Sequence, residues 1–147
     1  MVSAEDSSRG QFDPKGGWAK AMGLEFVRLT ADEVVVEWTV GPEHLQPHGI
    51  VHGGVHCGVV ETACSVGASI DAASRGQTVV GVENHTSFLR AVRSGRLRAT
   101  AVPLQRGRRA QLWEARIVDE QDRLVATGRV RLLCLERDAE LAGKKAT

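Results

Sequence analysis

The chain has 147 residues, of which 42% are hydrophobic and 25% are charged, and its formal net charge is only +1. This length fits one domain with a sizeable core. The small net charge argues against a protein that coats nucleic acid and against a polybasic membrane anchor. No apolar run reaches the roughly 18 residues that a membrane helix requires. Three cysteines form an odd, sparse set, which is typical of a reducing compartment. We therefore expect a cytoplasmic protein that binds neither nucleic acid nor membrane.

The two ends of the chain differ in composition from its centre. Residues 1–17 are rich in Ser, Gly, Asp and Lys, show no period, and are predicted to be a flexible tail. Residues 137–147 are predicted to be a second flexible tail. The intervening residues 18–136 contain no repeat and no linker, which predicts a single domain.

Alternating hydrophobic residues predict two strands at the start of this domain, over 24–31 and 33–40. The segment 53–74 has a different pattern, with its strongest apolar residues separated by steps of three and four. That spacing is typical of an α-helix that buries one face. These apolar positions are Val55, Val59, Ala63, Val66 and Ile70.

Strand patterns return after the predicted helix and continue to the end of the domain. The predicted strands cover 78–92, 96–104, 110–118 and 123–135. Short turns separate them, so we expect consecutive hairpins and therefore an antiparallel sheet. The sequence predicts an α+β fold in which a sheet of about six strands wraps around one long central helix.

A glycine-rich segment, QPHGIVHGG from Gln46 to Gly54, directly precedes the predicted helix. Backbone N–H groups at a helix N-terminus lack partners, and the helix dipole adds positive potential there. Such a position can bind an anion or stabilise a developing oxyanion. Glu61 follows eight residues after Gly53, in a helix of apolar and small residues. A carboxylate in that setting is rarely buried without a function.

The segment QPHGIVHGGVHCGVVETACSVGAS resembles the signature of the hotdog-fold acyl-CoA thioesterases of the PaaI type. This group is related to 4-hydroxybenzoyl-CoA and 1,4-dihydroxy-2-naphthoyl-CoA thioesterases. The segments GVENHTSFLRAVRSG and PLQRGRRAQLWEARIVDEQDRL resemble the family's later strands, so the resemblance covers about residues 23–135. It implies a hotdog fold and hydrolysis of an acyl- or aroyl-CoA. No cofactor is expected, since coenzyme A enters only as part of the substrate. His48, His52 and His56 are spaced by four, like metal ligands on a helix, but Gly49, Gly53 and Gly54 argue against one continuous helix through all three, so no metal is expected. His48 and Cys57 depart from the usual residues at positions that shape the acyl pocket.

The resemblance also implies roles for five residues. Glu61 matches the catalytic carboxylate, as nucleophile or as general base, and the N–H of Gly53 matches the group that polarises the thioester carbonyl. Gln46 and His52 match residues that contact the thioester or the attacking water. Ser65 matches a hydroxyl that helps to place water or substrate. Simpler interpretations remain open: Glu61 as a structural acid paired with an Arg, His52 as a helix cap, and Ser65 as a packing residue.

A run of arginines lies between Glu83 and Glu114, with no acid inside it. Arg suits phosphates because its planar guanidinium can donate two parallel hydrogen bonds. The resemblance places the phosphates of coenzyme A near residues 90–95 and 106–109. The candidate coenzyme A contacts are Val82, Arg90, Arg93, Ser94, Arg106, Gly107, Arg108 and Arg109.

The spacing of Gly53 and Glu61 also bears on the assembly. On one helix, eight residues correspond to about 12 Å, which is too far for both groups to act on one thioester. We therefore expect a homodimer with its active sites at the interface, or a homotetramer of such dimers. Two other functions remain: a hotdog-fold acyl thioester hydratase or dehydratase, and a non-catalytic acyl-CoA binding protein. The presence of Glu61 disfavours the binding protein, and the HGG turn is less like the dehydratase pattern.

Overall fold

The computed structural model describes residues 13–146. A short helix α1 (Gly17–Ala21) precedes strands β1 (Glu25–Leu29) and β2 (Val34–Thr39). A 3-10 turn (Pro42–His44) leads to the long helix α2 (Gly53–Ala73). Four long strands follow: β3 (Gln77–Phe88), β4 (Arg96–Arg106), β5 (Ala110–Val118) and β6 (Leu124–Glu136). A hairpin of β7 (Glu140–Leu141) and β8 (Lys144–Lys145) comes last.

The predicted α+β architecture is confirmed. Six strands form one antiparallel sheet in the order β1-β2-β4-β5-β6-β3. Helix α2 packs on the sheet through its buried face, which includes Val55, Val59 and Ala63. The alternation predicted for β2 is also correct, because Val34 and Trp38 are fully buried. Ile70 does not follow the predicted helical stripe, since 36% of its surface is exposed.

The expectation of consecutive hairpins is wrong at one place. Strand β3 pairs with β6, whereas β4 pairs with β2 and β5. The connection over 89–95 therefore crosses from one edge of the sheet to its middle. A short connection alone does not fix the pairing, because a half-buried strand can pair with any neighbour that shares its buried face. The consequence is that β3 is left at an edge of the sheet.

Glycines of α2 allow aromatic rings to approach the helix closely. A Cβ at Gly67 would lie 2.5 Å from the Trp113 ring, and a Cβ at Gly58 would lie 2.4 Å from the Trp18 ring. The small residues of the helix therefore serve mainly to seat large side chains, and Trp113 is itself fully buried.

The two predicted tails have different outcomes. Residues 1–12 lie outside the described part of the chain. In the segment predicted as a C-terminal tail, Glu140–Leu141 pairs with Lys144–Lys145, and the N–H of Ala146 donates to the carbonyl of Ala139. These residues thus form a regular hairpin that the composition did not predict. No helix within residues 13–146 has the length and hydropathy needed to cross a membrane.

Candidate active site

The glycine-rich segment forms a braced turn before α2. The N–H of Gly49 donates to the carbonyl of Gln46 at 2.8 Å, and Gly49 has a φ of 72°, which favours glycine there. The Gln46 side-chain oxygen accepts from the N–H of His48. The Arg93 guanidinium donates to the carbonyls of His48 at 2.7 Å and of Gly49 at 3.2 Å. Arg93, predicted as a phosphate contact, therefore holds the turn in place.

At the start of α2, two of the first three N–H groups have acceptors. His52 is the N-cap residue, and its Nδ1 accepts from the N–H of Gly54 at 2.7 Å. The N–H of Val55 donates to the carbonyl of His52 at 2.9 Å. Among residues 13–146, no acceptor lies within hydrogen-bond distance of the N–H of Gly53. His52 thus caps the helix in the way its simpler interpretation proposed, and the Gly53 N–H can still donate to an oxygen outside the chain.

Glu61 is half-buried in the middle of α2, and its carboxylate lies against β3. A Cβ at Gly81 would lie 2.1 Å from Glu61 Oε1, so only glycine leaves room for the carboxylate in this position. Asn84 Nδ2 donates to Glu61 Oε2 at 3.0 Å. Within the described residues, no Arg, Lys or His forms an ion pair with Glu61. The structure therefore does not support the alternative in which Glu61 is a structural acid paired with an Arg of its own chain.

A β-bulge in β3 brings both contacts to the helix side of the strand. The register with β6 shifts between Gly81 and Glu83, which leaves Val82 as the extra residue. Side chains on a strand alternate between its faces, and one extra residue reverses that alternation. Gly81 before the bulge and Asn84 after it consequently both face α2. Val82, predicted as a coenzyme A contact, is 51% exposed at this bulge.

Sequence reasoning missed Gly81 and Asn84. A glycine inside a strand pattern is a recognised signal of a bulge or of a close approach, and it was available here. The carboxamide of Asn84 had no such signal, because its partner is 23 residues away on another element.

Three other polar residues of α2 form no hydrogen bond with Glu61 in the described part of the chain: Ser65, His56 and Cys64. Ser65, one turn after Glu61, is half-buried. His56 is only 2% exposed, and burial lowers its pKa to about 4. Its Nδ1 has no hydrogen-bond partner among the described residues, and its ring centroid lies 6.0 Å from that of Phe88. Burial raises the pKa of the Cys64 thiol, which keeps this cysteine unreactive.

The arginines between Glu83 and Glu114 form different contacts in the structure. Arg96 and Arg98 each donate to Glu37, at 2.7 and 2.8 Å, on the outer face of the sheet, and they hold the pKa of that carboxyl below its usual range. Arg106 donates to Asp32 at 2.8 Å. Acids distant in sequence thus neutralise part of a cluster that appears uniformly basic along the chain. Three arginines of the predicted set remain, and their guanidinium groups are exposed and donate to no residue within 13–146: Arg90, Arg108 and Arg109.

These three arginines lie in two groups at opposite ends of the sheet. The N–H of Arg90 donates to the carbonyl of Val125, and the carbonyl of Arg109 accepts from the N–H of Cys134. Val125 and Cys134 are nine residues apart on β6, which is about 30 Å in an extended strand. One chain therefore does not bring the two predicted phosphate sites together. Ser94 lies with the first group, and the tight turn at Gly107, whose N–H donates to Ala110, lies with the second.

A cavity of about 480 Å³ lies beside the second group. Ser69, Ala73 and Gln77 contribute to its lining, and Gln77 Nε2 donates to the carbonyl of Arg108 at 3.2 Å. Ser69 and Ala73 lie two and three turns after Glu61 on α2, and because each four-residue step rotates by about 40°, this row of residues winds around the helix away from Glu61. The cavity thus lies between the last turns of α2 and the start of β3, and Arg137 and Ala146 of the C-terminal segment complete its lining.

Comparison with known proteins assigns the family. The chain matches the model of the thioesterase superfamily over residues 48–126. It is 45% identical to the Mycobacterium tuberculosis protein Rv1847 over 117 residues, which are 78% of this chain and 84% of that protein. The chain belongs to the thioesterase superfamily.

Further relatives agree with this membership. The proofreading thioesterase EntH of Cronobacter turicensis is 36% identical over 115 residues, covering 78% of this chain and 83% of EntH. The crystal structure of S. sahachiroi AziG, at 45% identity, has a TM-score of 0.80 over 82% of this chain and 98% of that one. Thioesterase HI1161 of Haemophilus influenzae has a TM-score of 0.76 at 32% identity, over 80% of this chain and 82% of that one. The predicted hotdog fold and the predicted thioester hydrolase are both confirmed.

Proposed function

We propose that this thioesterase hydrolyses acyl- or aroyl-CoA to the free acid and CoA. In this reaction the carbonyl–sulfur bond breaks, a water oxygen joins the acyl carbon, and the sulfur leaves with a proton as the CoA thiol. The observation that carries the proposal is the Glu61 carboxylate. It lies half-buried beside an exposed edge strand, has no cationic partner among residues 13–146, and is oriented by a neutral amide. A carboxylate in this state can act as a nucleophile or as a general base.

The group that stabilises the thioester oxygen would come from the turn before α2. The N–H of Gly53 is the first of the helix and has no acceptor among the described residues. It can donate to the thioester oxygen as that oxygen gains negative charge, and the helix dipole adds to this stabilisation. Gln46 and His52 lie on the same turn, where they can contact the thioester or the attacking water.

The Gly53 N–H and the Glu61 carboxylate of one site would come from different protomers. Helix α2 runs without interruption from Gly53 through Glu61, so the two groups lie about 12 Å apart along its axis. Strand β3 is an edge strand, and Phe88 at its end and Leu89 directly after it are each 55% exposed. Pairing of β3 with its copy around a twofold axis would cover these side chains and place the turn of one protomer near Glu61 of the other.

The same assembly would complete the coenzyme A site. In an antiparallel pairing of two β3 strands, the end of one strand lies beside the start of the other. Arg90 follows the end of β3, and Gln77 at its start contacts the Arg108 turn. Arg90 of one protomer and Arg108 and Arg109 of the other could then bind one set of phosphates. The cavity at the start of β3, lined in part by Ser69, Ala73 and Gln77, would hold part of the pantetheine arm.

Release of free thiol from a panel of acyl- and aroyl-CoAs, followed with a thiol reagent, tests this function. Wild type should hydrolyse at least one member, and Glu61→Gln should reduce kcat by at least about 100-fold, the scale of a lost general base. Glu114→Gln is the matched control, because Glu114 is a half-buried acid of β5 that β6 separates from β3 and that pairs with Arg129 at 3.7 Å. No hydrolysis of any CoA thioester by folded wild type, or full activity in Glu61→Gln, would refute the proposal.

A further inference from the structure

The Glu61 carboxylate is held by a short chain of neutral side chains. Thr86 Oγ1 donates to Asn84 Oδ1 at 2.6 Å. Asn84 Nδ2 in turn donates to Glu61 Oε2 and to the carbonyl of Cys57, each at 3.0 Å. The carboxylate and the backbone carbonyl are acceptors only, so the amide nitrogen must face them. Only one orientation of the Asn84 amide therefore satisfies all three hydrogen bonds.

The contact to Cys57 fixes where the amide lies relative to the helix. Cys57 precedes Glu61 by four residues, so its carbonyl and the Glu61 side chain lie on the same side of α2. The amide nitrogen thus ties β3 to one turn of the helix and directs a second hydrogen to the carboxylate. The bulge at Val82 is required for this arrangement, because it turns both Asn84 and Thr86 toward α2.

A neutral donor has a specific advantage at this position. It stabilises the charged form of a carboxylate by hydrogen bonding, and it does not tie the carboxylate into an ion pair as Arg or Lys would. Asn84 occupies Oε2 only, and Oε1 lies in the space left by Gly81. Asn84 therefore holds one oxygen of the carboxylate and leaves the other without a hydrogen-bond donor among the described residues.

We propose that Asn84 is a positioning residue for Glu61, and that Thr86 keeps the Asn84 amide in the orientation this requires. The proposal rests on the proposed role of Glu61 in thioester hydrolysis. Neither residue needs to touch the substrate, so their loss should lower kcat and leave KM nearly unchanged.

Two substitutions of Asn84 separate positioning from packing. Asn84→Ala removes the donor and should lower kcat by roughly 10- to 150-fold, the effect of one hydrogen bond to a charged group. Asn84→Asp keeps the shape and the bond from Thr86 but places a second carboxyl beside Glu61. It should be more damaging than Asn84→Ala, because two carboxylates at hydrogen-bond distance repel each other. If Asn84 merely filled space, the isosteric Asp would be the milder change.

Thr86 provides the second arm of the test. Thr86→Val keeps the side-chain shape but removes the hydroxyl, and should lower kcat by about three- to tenfold, as for a neutral hydrogen bond. Thr86→Ser keeps the hydroxyl and should restore most of the activity. Matched controls are Gln105→Glu, the same amide-to-acid change at an exposed site, and Thr127→Val. Thr127 donates instead to the carbonyl of Ala115 at 3.2 Å.

Glu61→Gln is assayed in the same series with the same acyl-CoA, and circular dichroism confirms that each variant is folded. If Glu61→Gln is inactive while Asn84→Ala and Asn84→Asp both keep wild-type kcat, the positioning proposal is overturned and the proposed function stands. If Glu61→Gln remains active, the proposed role of Glu61 fails, and the role of Asn84 fails with it. A rise in KM without a change in kcat would also overturn positioning, because it would indicate a direct substrate contact.

Discussion

The close approach of the Glu61 carboxylate to Gly81 predicts the effect of Gly81→Ala on kcat, and the structure gives its magnitude. An added Cβ would lie 2.1 Å from Glu61 Oε1, whereas ordinary contact begins near 3.4 Å. The carboxylate in Gly81→Ala must therefore retreat by the difference between these distances, about 1.3 Å, and its bond to Asn84 must weaken. A displacement of about 1 Å at a reacting group can cost about 100-fold in rate. We expect Gly81→Ala to lower kcat toward a given acyl-CoA by roughly that factor.

The same substitution should leave the fold intact. The φ of Gly81 is outside the left-handed region, so alanine fits the backbone, and the atom it meets belongs to a movable side chain. Gly67→Ala is the matched control with the opposite expectation. Its Cβ would lie 2.5 Å from the Trp113 ring and 3.2 Å from Val34, in the packed core, where overpacking costs about 1–3 kcal/mol of stability.

Thermal unfolding and steady-state kinetics on both variants give the decisive comparison. Gly81→Ala should lose activity with little change in Tm, and Gly67→Ala should lose Tm with little change in kcat per folded molecule. A fully active Gly81→Ala would show that Glu61 does not act from its observed position.

Two further predictions follow from buried and exposed charges. Burial lowers the pKa of His56 from 6.5 to about 4, so the unfolded chain binds a proton that the folded chain resists. The free energy of unfolding should therefore be highest above about pH 6.5 and fall by roughly 3 kcal/mol as the pH drops to about 4. Denaturant titrations should show that His56→Leu lacks this loss. An equal loss in the variant would contradict the assignment to His56. Arg108→Ala should raise KM for acyl-CoA with kcat nearly unchanged, whereas the control Arg106→Ala, whose guanidinium bonds Asp32, should change KM less. Neither Arg variant should affect hydrolysis of an acyl-N-acetylcysteamine, which lacks the phosphates; a matching loss on that substrate would show that Arg108 supports the fold instead.

Local patterns were enough to predict most of the elements of this fold. The alternation that buries Val34 and Trp38, and the helical spacing through Val55 and Val59, depend only on which face of each element meets the core. The place of β3 at the sheet edge could not be predicted in this way. Strand pairing depends on contacts between elements, and the connection over 89–95 is compatible with either partner.

Part of the candidate site could likewise be predicted from local patterns, and part of it could not. The HGG turn and Glu61 could be found because a short motif and a lone acid are visible in the sequence. The contacts that hold the carboxylate involve Gly81 and Asn84, which reach the helix only because a bulge reverses the alternation of β3. The basic run was misleading for a related reason, since Asp32 and Glu37 neutralise part of it from other strands.

The most direct test of the account is complementation between two damaged protomers. Chains with Glu61→Ala and chains with Gly53→Pro, which lacks the N–H at the first helical position, are each purified, mixed after partial unfolding, refolded together and assayed for hydrolysis of an active acyl-CoA. Native mass spectrometry measures the fraction of mixed dimers. If Glu61 of one protomer acts with Gly53 of the other, each mixed dimer contains one intact site, and random mixing should restore about a quarter of wild-type activity. Mixed dimers with no more activity than the two parents would show that both groups act within one chain, and would contradict the interfacial site.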